Sequence, residues 1–241
     1  RVLRAAARAG VRRVVLTSSM NAISGGRARR ADHVYNEADW TDAGAPGVTA
    51  YDQSKTLAER AAWDFVQREG GPELVVINPG AIFGPVLDRH VSASGEIIMA
   101  LAGGKAPGVP RIGFGVVDVR DCADAHIAAL SIPEAAGQRF ICSLDEVWLV
   151  EIARILDRHV APWGLKVPTR ELPDLLVRVG AIWNPALRRA ADHLGRRRRI
   201  DASAIRQVLR WSPRSVAEAV TSMADSFVEH GLLSYSGGKS G

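Results

Sequence analysis

The sequence predicts an α/β protein: a parallel, doubly wound sheet followed by a smaller, mostly helical part. Three observations carry this reading. Short runs rich in Val, Ile and Leu alternate with segments of helical periodicity from Arg13 to His159, the pattern of strand–helix–strand units. One of these runs, Leu74 to Asn78, is continuously apolar, as expected of a strand covered on both faces. After about Ala161 the alternation stops, and helical segments separated by proline-bearing loops take over.

Taken in order, the chain opens with an amphipathic helix, Val2–Ala9, closed by Gly10. The strand Arg13–Ser19 follows. Residues 25–47 read as a loop rich in Gly, Asp and Arg. A long helix, Tyr51–Arg68, stops at Gly70-Gly71-Pro72, a strong breaker. Beyond the strand Leu74–Asn78 come helix Glu96–Ala102, a short strand near Gly115–Val117, helix Arg120–Ser131, strand Arg139–Ser143 and helix Val147–His159. The helical part holds Leu172–Val179, Pro185–His193, Ala202–Leu209 and Ser215–His230, with Ser212 as the expected N-cap of the last and Pro213 at its first position. Trp163, Trp183 and Trp211 read as core of this part. The domain boundaries drawn from the pattern are 1–148 for the sheet portion, with 85–118 contributing to a substrate region, 149–233 for the helical portion, and 234–241 as a polar, disordered tail.

The 241 residues carry a formal charge of +5 and a sequence pI near 9.7. Arginine dominates and is spread along the chain, with one run at Arg196-Arg197-Arg198-Arg199. No aromatic-interleaved basic stripe accompanies it, so a solvated basic surface is expected and no nucleic acid partner. No apolar run is long enough to span a bilayer, and no membrane partner or secretory leader is expected. The two cysteines, Cys122 and Cys142, are too few for a disulfide framework and read as small buried side chains in a reducing, cytoplasmic setting. The histidines are scattered without ligand-like spacing, so no metal site is expected. The chain opens with Arg1, inside a helix, and an upstream part is expected to precede it.

The residues that carry chemistry lie between Val14 and Lys55. Ser18 and Ser19 end a predicted parallel strand, on the edge where open α/β sheets bind ligands. Tyr51 and Lys55, four residues apart, share one face of the predicted helix. A tyrosine hydroxyl titrates near ~10 in water, and a neighbouring ammonium favours its phenolate. A serine hydroxyl can hold a carbonyl or alcohol in place for proton transfer. Ser19, Tyr51 and Lys55 are therefore the candidate catalytic set.

The run Val14-Val15-Leu16-Thr17-Ser18-Ser19, then Tyr51-x-x-x-Lys55, then Asn78-Pro79-Gly80-Ala81-Ile82-Phe83-Gly84-Pro85, resembles the extended short-chain dehydrogenase/reductases, and among them the dihydroflavonol reductase and aldehyde/ketone reductase branch. The resemblance covers Val2 to about Trp148 well and the helical part loosely. It implies the C-terminal portion of a Rossmann-type sheet, with the helices forming a substrate-binding part. It makes Ser19 rather than Ser18 the catalytic serine. It implies a nicotinamide cofactor, NADP(H) favoured over NAD(H), held by Thr17, Tyr51, Lys55, Pro79, Gly80, Ala81 and Ile82. Met20, Ser24, Val86 and Val116 are the expected substrate wall. Asp118-Val119-Arg120-Asp121 and Asp124-Ala125-His126 also follow the family's pattern; Asp118 or Asp121 is expected to cap the next helix, and His126 to be packed or hydrogen-bonded rather than catalytic. No strand here is followed by the glycine-rich turn that cradles a pyrophosphate, so the match lies downstream of the family's adenine-binding half.

The activity this implies is NAD(P)H-dependent reduction of an aldehyde or ketone, with a small carbonyl or alcohol compound as partner and the oligomeric state left open. A nucleotide-sugar epimerase or dehydratase of the same superfamily is the alternative. Such proteins often carry Val-Tyr-Gly just past the serine, where this chain has Met20-Asn21-Ala22-Ile23-Ser24-Gly25. A non-catalytic nucleotide sensor on the same fold is a third reading, against which the intact Ser19, Tyr51 and Lys55 count.

Overall fold

The computed structural model describes residues 1–26 and 32–234. The predicted tail from 235 onward and the Arg-rich centre of the first loop lie outside the described residues. In chain order the helices are α1 (Val2–Arg8), α2 (Asn21–Ser24), α3 (Ala50–Glu69), α4 (Ala93–Ala102), α5 (Val119–Ser131), α6 (Leu149–Val160), α7 (Asp174–Gly180), α8 (Pro185–Ala191), α9 (Ser203–Val208) and α10 (Val216–Glu229). The strands are β1 (Arg13–Thr17), β2 (Val34–Tyr35), β3 (Glu73–Pro79), β4 (Ala81–Phe83), β5 (Gly113–Phe114), β6 (Val116–Asp118), β7 (Arg139–Cys142), β8 (Val147–Trp148) and β9 (Arg199–Ile200). No described helix is long and apolar enough to cross a membrane.

The chain forms two compact units that interleave along the sequence. The first holds residues 1–80, 120–145 and 198–213. Its sheet has the order β1-β3-β7, all parallel, with Val14 opposite Leu74 and Ile77 opposite Phe140. The central strand β3 is buried from Leu74 to Pro79, which is why its sequence is apolar without alternation. On one face Ala62, Leu74 and Val76 gather Leu3, Val14, Leu16, Trp63 and Val66 from α1, α3 and the sheet; a second cluster joins Met20, Ile23, Tyr35 and Ile141. Arg13 is buried at the start of β1, and its guanidinium donates to the Ala129 carbonyl (2.8 Å) and the Ile132 carbonyl (2.6 Å) at the end of α5. It thereby satisfies carbonyls that a helix end leaves without partners.

The first loop is more structured than expected. It contains α2, and Val34–Tyr35 pairs with Arg199–Ile200 as a two-strand parallel ladder. The arginine run is correspondingly not a purely solvated surface: Arg198 Nη2 donates to the Gly26 carbonyl (3.2 Å), and Arg199 enters β9. Periodicity cannot reveal a two-residue strand paired across more than 160 positions. Trp211 belongs to this unit, not to the helical part, and its indole N–H donates to the Asp121 carbonyl (3.1 Å).

The second unit holds residues 81–119, 146–197 and 214–241. Two small ladders, β4 with β6 in parallel and β5 with β8 antiparallel, share it with α4, α6, α7, α8 and α10. Phe83, Ile98, Val116, Ile152, Leu156, Val220 and Phe227 lie in one continuous core. Val147–Trp148, expected to open a helix, instead pairs with Gly113–Phe114, and α6 starts at Leu149. The last helix is capped by Ser215, not Ser212: Ser215 Oγ accepts from the Glu218 N–H while the Glu218 carboxylate accepts from the Ser215 N–H. That reciprocal pair satisfies two donors, which a serine followed by proline cannot match. Trp183 is 77% exposed, so it is surface rather than core.

Candidate active site

Helix α3 begins at a capping box. Thr49 Oγ1 accepts from the Asp52 N–H (3.2 Å), and the Asp52 carboxylate accepts from the Thr49 N–H (2.9 Å). In this first turn Tyr51 stands exposed, while Asp52 beside it and Thr56 and Glu59 further along α3 are fully buried. Lys55, half-buried, places its ammonium 5.9 Å from the centroid of the Tyr51 ring. The helical register thus sets Tyr51 and Lys55 along the edge of the buried stripe that grips the rest of the unit.

The strand end is gripped from several sides. The Ser18 N–H donates to the Ile77 carbonyl (2.8 Å) and the Met20 N–H to the Pro79 carbonyl (2.9 Å), extending the β1–β3 ladder past the last strand residue. Ser19 is buried, and its hydroxyl donates to Asn21 Oδ1 (3.1 Å) while accepting from the Asn21 N–H (3.1 Å). Asn21 Nδ2 in turn donates to Asp52 Oδ1. A continuous chain of hydrogen bonds therefore links Ser19, through Asn21 and Asp52, to the turn that carries Tyr51. Gly25 permits the approach: a Cβ there would lie 2.7 Å from the Asn21 carbonyl and 2.9 Å from Asp52 Cβ.

The remaining candidates separate by unit. Thr17 is exposed at the end of β1, its hydroxyl 2.8 Å from His126 Nε2. His126 Nδ1 lies 2.7 Å from the Cys122 carbonyl, so this histidine is hydrogen-bonded on both ring nitrogens. Pro79 is buried at the end of β3, and the Gly80 N–H donates to the Cys142 carbonyl (3.2 Å). The chain leaves the first unit after Gly80; Ala81 and Ile82, both half-buried, open β4 in the second. Among the expected substrate-wall residues, Met20 packs with Ile23 and Tyr35, Ser24 donates to the Met20 carbonyl (3.3 Å), and Val116 is fully buried in the second unit's core. All three side chains are buried. Val86 keeps exposed surface, its N–H donating to Ser226 Oγ (3.0 Å).

Cys122 and Cys142 are both free and buried. Hydrogen bonding from the Cys142 thiol, helped by His126, lowers the Cys122 thiol to about 6, while the same contact and burial push Cys142 up. The Cys122 contact raises His126. Among the described residues no cluster of His, Cys, Asp and Glu could hold a metal ion.

Asn21, Asp52, Glu59, Asn78 and Arg139 were not singled out by sequence reasoning. Thr49-x-x-Asp52 was readable as a capping pair. Glu59 lies on the buried stripe Asp52, Thr56, Glu59, Ala62, where an acidic residue in an apolar register signals a buried partner.

The three-stranded parallel sheet with its helices is the fold of Rossmann-type reductases and epimerases. The chain belongs to the NAD dependent epimerase/dehydratase family, whose sequence profile matches residues 1–142. It is 40% identical over 164 residues to a cinnamoyl-CoA reductase of Medicago truncatula, covering 66% of this chain and 48% of that protein. It is 33% identical over 163 residues to the NADPH-dependent methylglyoxal reductase of Saccharomyces cerevisiae, covering 61% of this chain and 47% of that protein. The crystal structure of yeast methylglyoxal/isovaleraldehyde reductase complexed with NADPH superimposes with a TM-score of 0.71 at 27% identity, covering 92% of this chain and 66% of that one. The chain spans about half the length of the curated relatives it matches.

Proposed function

We propose that the protein reduces an aldehyde or ketone with a reduced nicotinamide, NADPH in preference to NADH. The observation that carries this reading is the hydrogen-bond chain from Ser19 through Asn21 and Asp52 to the first turn of α3. It couples the candidate carbonyl-holding serine to the helix turn of the candidate proton donor, Tyr51. The relatives support the reaction class, since they are named as reductases and the yeast enzyme as NADPH-dependent.

The residues present suit the nicotinamide end of such a cofactor. Tyr51 and Lys55 offer hydrogen-bond donors on one face of α3, suited to ribose hydroxyls, and Thr17, Pro79 and Gly80 lie at the carboxyl ends of β1 and β3, with Ala81 and Ile82 following. Among the described residues no strand-to-helix glycine turn offers a cradle for a pyrophosphate. When bound, the reduced nicotinamide supplies the hydride. Ser19 turns its one hydroxyl proton from Asn21 Oδ1 to the substrate carbonyl oxygen and fixes its direction, still accepting from the Asn21 N–H. Tyr51 gives its phenolic proton to the oxygen as negative charge develops there. The Lys55 ammonium would stabilise the charge left on the phenolate and would hold a ribose hydroxyl of the cofactor.

The test is Tyr51→Phe in the full protein, assayed by loss of reduced-nicotinamide absorbance over a panel of aldehydes, ketones and UDP-sugars. Turnover should fall ~10²–10⁴-fold, the usual contribution of a general acid. Near wild-type turnover would refute the assignment. Activity on UDP-sugars without carbonyl reduction would move the protein to the epimerase class.

A further inference from the structure

Two turns beyond Tyr51, α3 buries a second carboxylate that the proposed chemistry does not use. Glu59 has no exposed surface. An ionised carboxylate is costly to bury unless it is paired and hydrogen-bonded, and here two of the partners, Ser18 and Asn78, stand at the strand ends, while Trp63 Nε1 on the same helix donates to Oε1 at 3.5 Å. Glu59 Oε2 accepts from the Ser18 hydroxyl (2.5 Å) and from Asn78 Nδ2 (2.7 Å). The same Asn78 nitrogen donates to the Ser19 carbonyl (3.1 Å). Glu59 Oε1 lies 2.7 Å from Arg139 Nε. Arg139 is anchored in turn: Nη1 donates to the Asp39 carbonyl (3.0 Å), and its guanidinium stacks 3.8 Å from the centroid of Trp40.

We propose that Glu59 is a positioning residue for the reaction: by holding Ser18 and Asn78 it fixes the Ser18–Ser19 strand end against α3, and so sets Ser19 in register with Tyr51 and Lys55. The inference rests on the reading of those three residues as the reacting set. Its physical basis is local. With the Ser18 side chain and the Ser19 carbonyl both held, the main chain on each side of the Ser19 Cα is constrained, and with it the direction of the Cα–Cβ bond. Asn21 then needs only to choose the hydroxyl rotamer.

A carboxylate suits this place because both oxygens accept and neither donates. Glutamine would turn an NH₂ group toward either Asn78 Nδ2 or Arg139, a donor against a donor. Aspartate is one methylene too short to reach Ser18, Asn78 and Arg139 together.

The experiment measures kcat, KM and the thermal midpoint in the full protein for Glu59→Gln, Glu59→Leu/Arg139→Met and Tyr51→Phe. The double variant removes both the acceptor that holds Ser18 and Asn78 and the guanidinium that would be left without its partner, so it lacks the clamp. A misplacement of the reacting group predicts a ~10- to 100-fold lower kcat in both Glu59 variants. KM for the carbonyl substrate should stay within about twofold, because binding is not what Glu59 serves. The double variant should regain the thermal midpoint without regaining kcat. Wild-type kcat in either Glu59 variant, or recovery of kcat in step with the midpoint, would overturn the inference and leave Glu59 a structural residue. Tyr51→Phe separates the two levels: its retention of turnover would overturn the site reading and this inference together, whereas a dead Tyr51→Phe beside a fully active Glu59→Gln overturns the inference alone.

Discussion

Asp52 is the residue through which the capping of α3 and the placement of Ser19 depend on one group, and its removal should be felt in both. Asp52→Ala deletes the hydrogen bond accepted from the Thr49 N–H (2.9 Å) and the one accepted from Asn21 Nδ2. Hydrogen bonds to a charged group contribute roughly 1.5–3 kcal/mol each, and an orphaned buried donor costs about 1–3 kcal/mol. The Thr49 amide sits at the helix start, where water can partly replace the bond, so the lower end applies there. Asn21 is half-buried and loses a partner it cannot replace without releasing Ser19. The sum is a loss of about 2–4 kcal/mol, a large effect for one side chain. Asp52→Asn keeps an acceptor for the Thr49 N–H, so it should lose about half as much. The assay is urea denaturation followed by circular dichroism, with slopes compared to confirm the same cooperative transition. A loss below about 1 kcal/mol for Asp52→Ala, or identical losses for the alanine and asparagine variants, would refute the assignment of two distinct hydrogen bonds to this carboxylate.

Three further outcomes follow from other parts of the molecule. Arg13→Met should destabilise by about 1–3 kcal/mol, because it strands the Ala129 carbonyl near the end of α5, whereas the Ile132 carbonyl still accepts from the Ala135 N–H; a neutral result in denaturant melts would show that the Ala129 carbonyl has another partner. Phe227→Ala, in the core of the second unit with no exposed surface, should cost about 3–5 kcal/mol, read from the same melts; a loss under about 1 kcal/mol would mean the core there collapses without a cavity. Cys122 should show thiolate ultraviolet absorbance with a midpoint near 6 in the native protein, moving toward about 8.5 on unfolding, so its stabilising contribution is present above the unfolded value and fades as pH falls through 6. Replacement of Cys142 by alanine should raise the native midpoint, since that thiol is the main donor to the Cys122 sulfur, and an unmoved midpoint would contradict that origin. His126 has the opposite sign: its pKa is raised, so its contribution is present at low pH and is lost as pH rises through the raised value.

Much of the fold and of the candidate site was legible because it is written in local chemistry. A strand buried on both faces reads as a near-continuous apolar run, and Leu74–Ile77 is one; the β3 it forms extends to Glu73 on one side and through the polar Asn78 to Pro79 on the other. Four-residue spacing puts Tyr51 and Lys55 on one face of any helix, and the ammonium lies over the ring's side of α3 as that geometry requires. The capping of α3 by Thr49 and Asp52 follows equally from residue types three positions apart. None of these depends on what the rest of the chain does.

The tertiary structure decided what depends on distant partners. It returned residues 198–213 to the first unit, where Arg199–Ile200 pairs with Val34–Tyr35 and Trp211 reaches Asp121. It turned Val147–Trp148 from a helix start into a strand, because Gly113–Phe114 offers unpaired backbone that a helix would leave unsatisfied. It buried Met20, Ser24 and Val116, since burial is set by what packs against a side chain and not by its neighbours in sequence. It gathered Ser18, Asn78 and Arg139 from three different strands around Glu59, whose importance no spacing along the chain could reveal. Periodicity and motif report the interactions a residue makes within a few positions of itself; the carboxylates at the centre of this site are defined by hydrogen bonds spanning tens of residues.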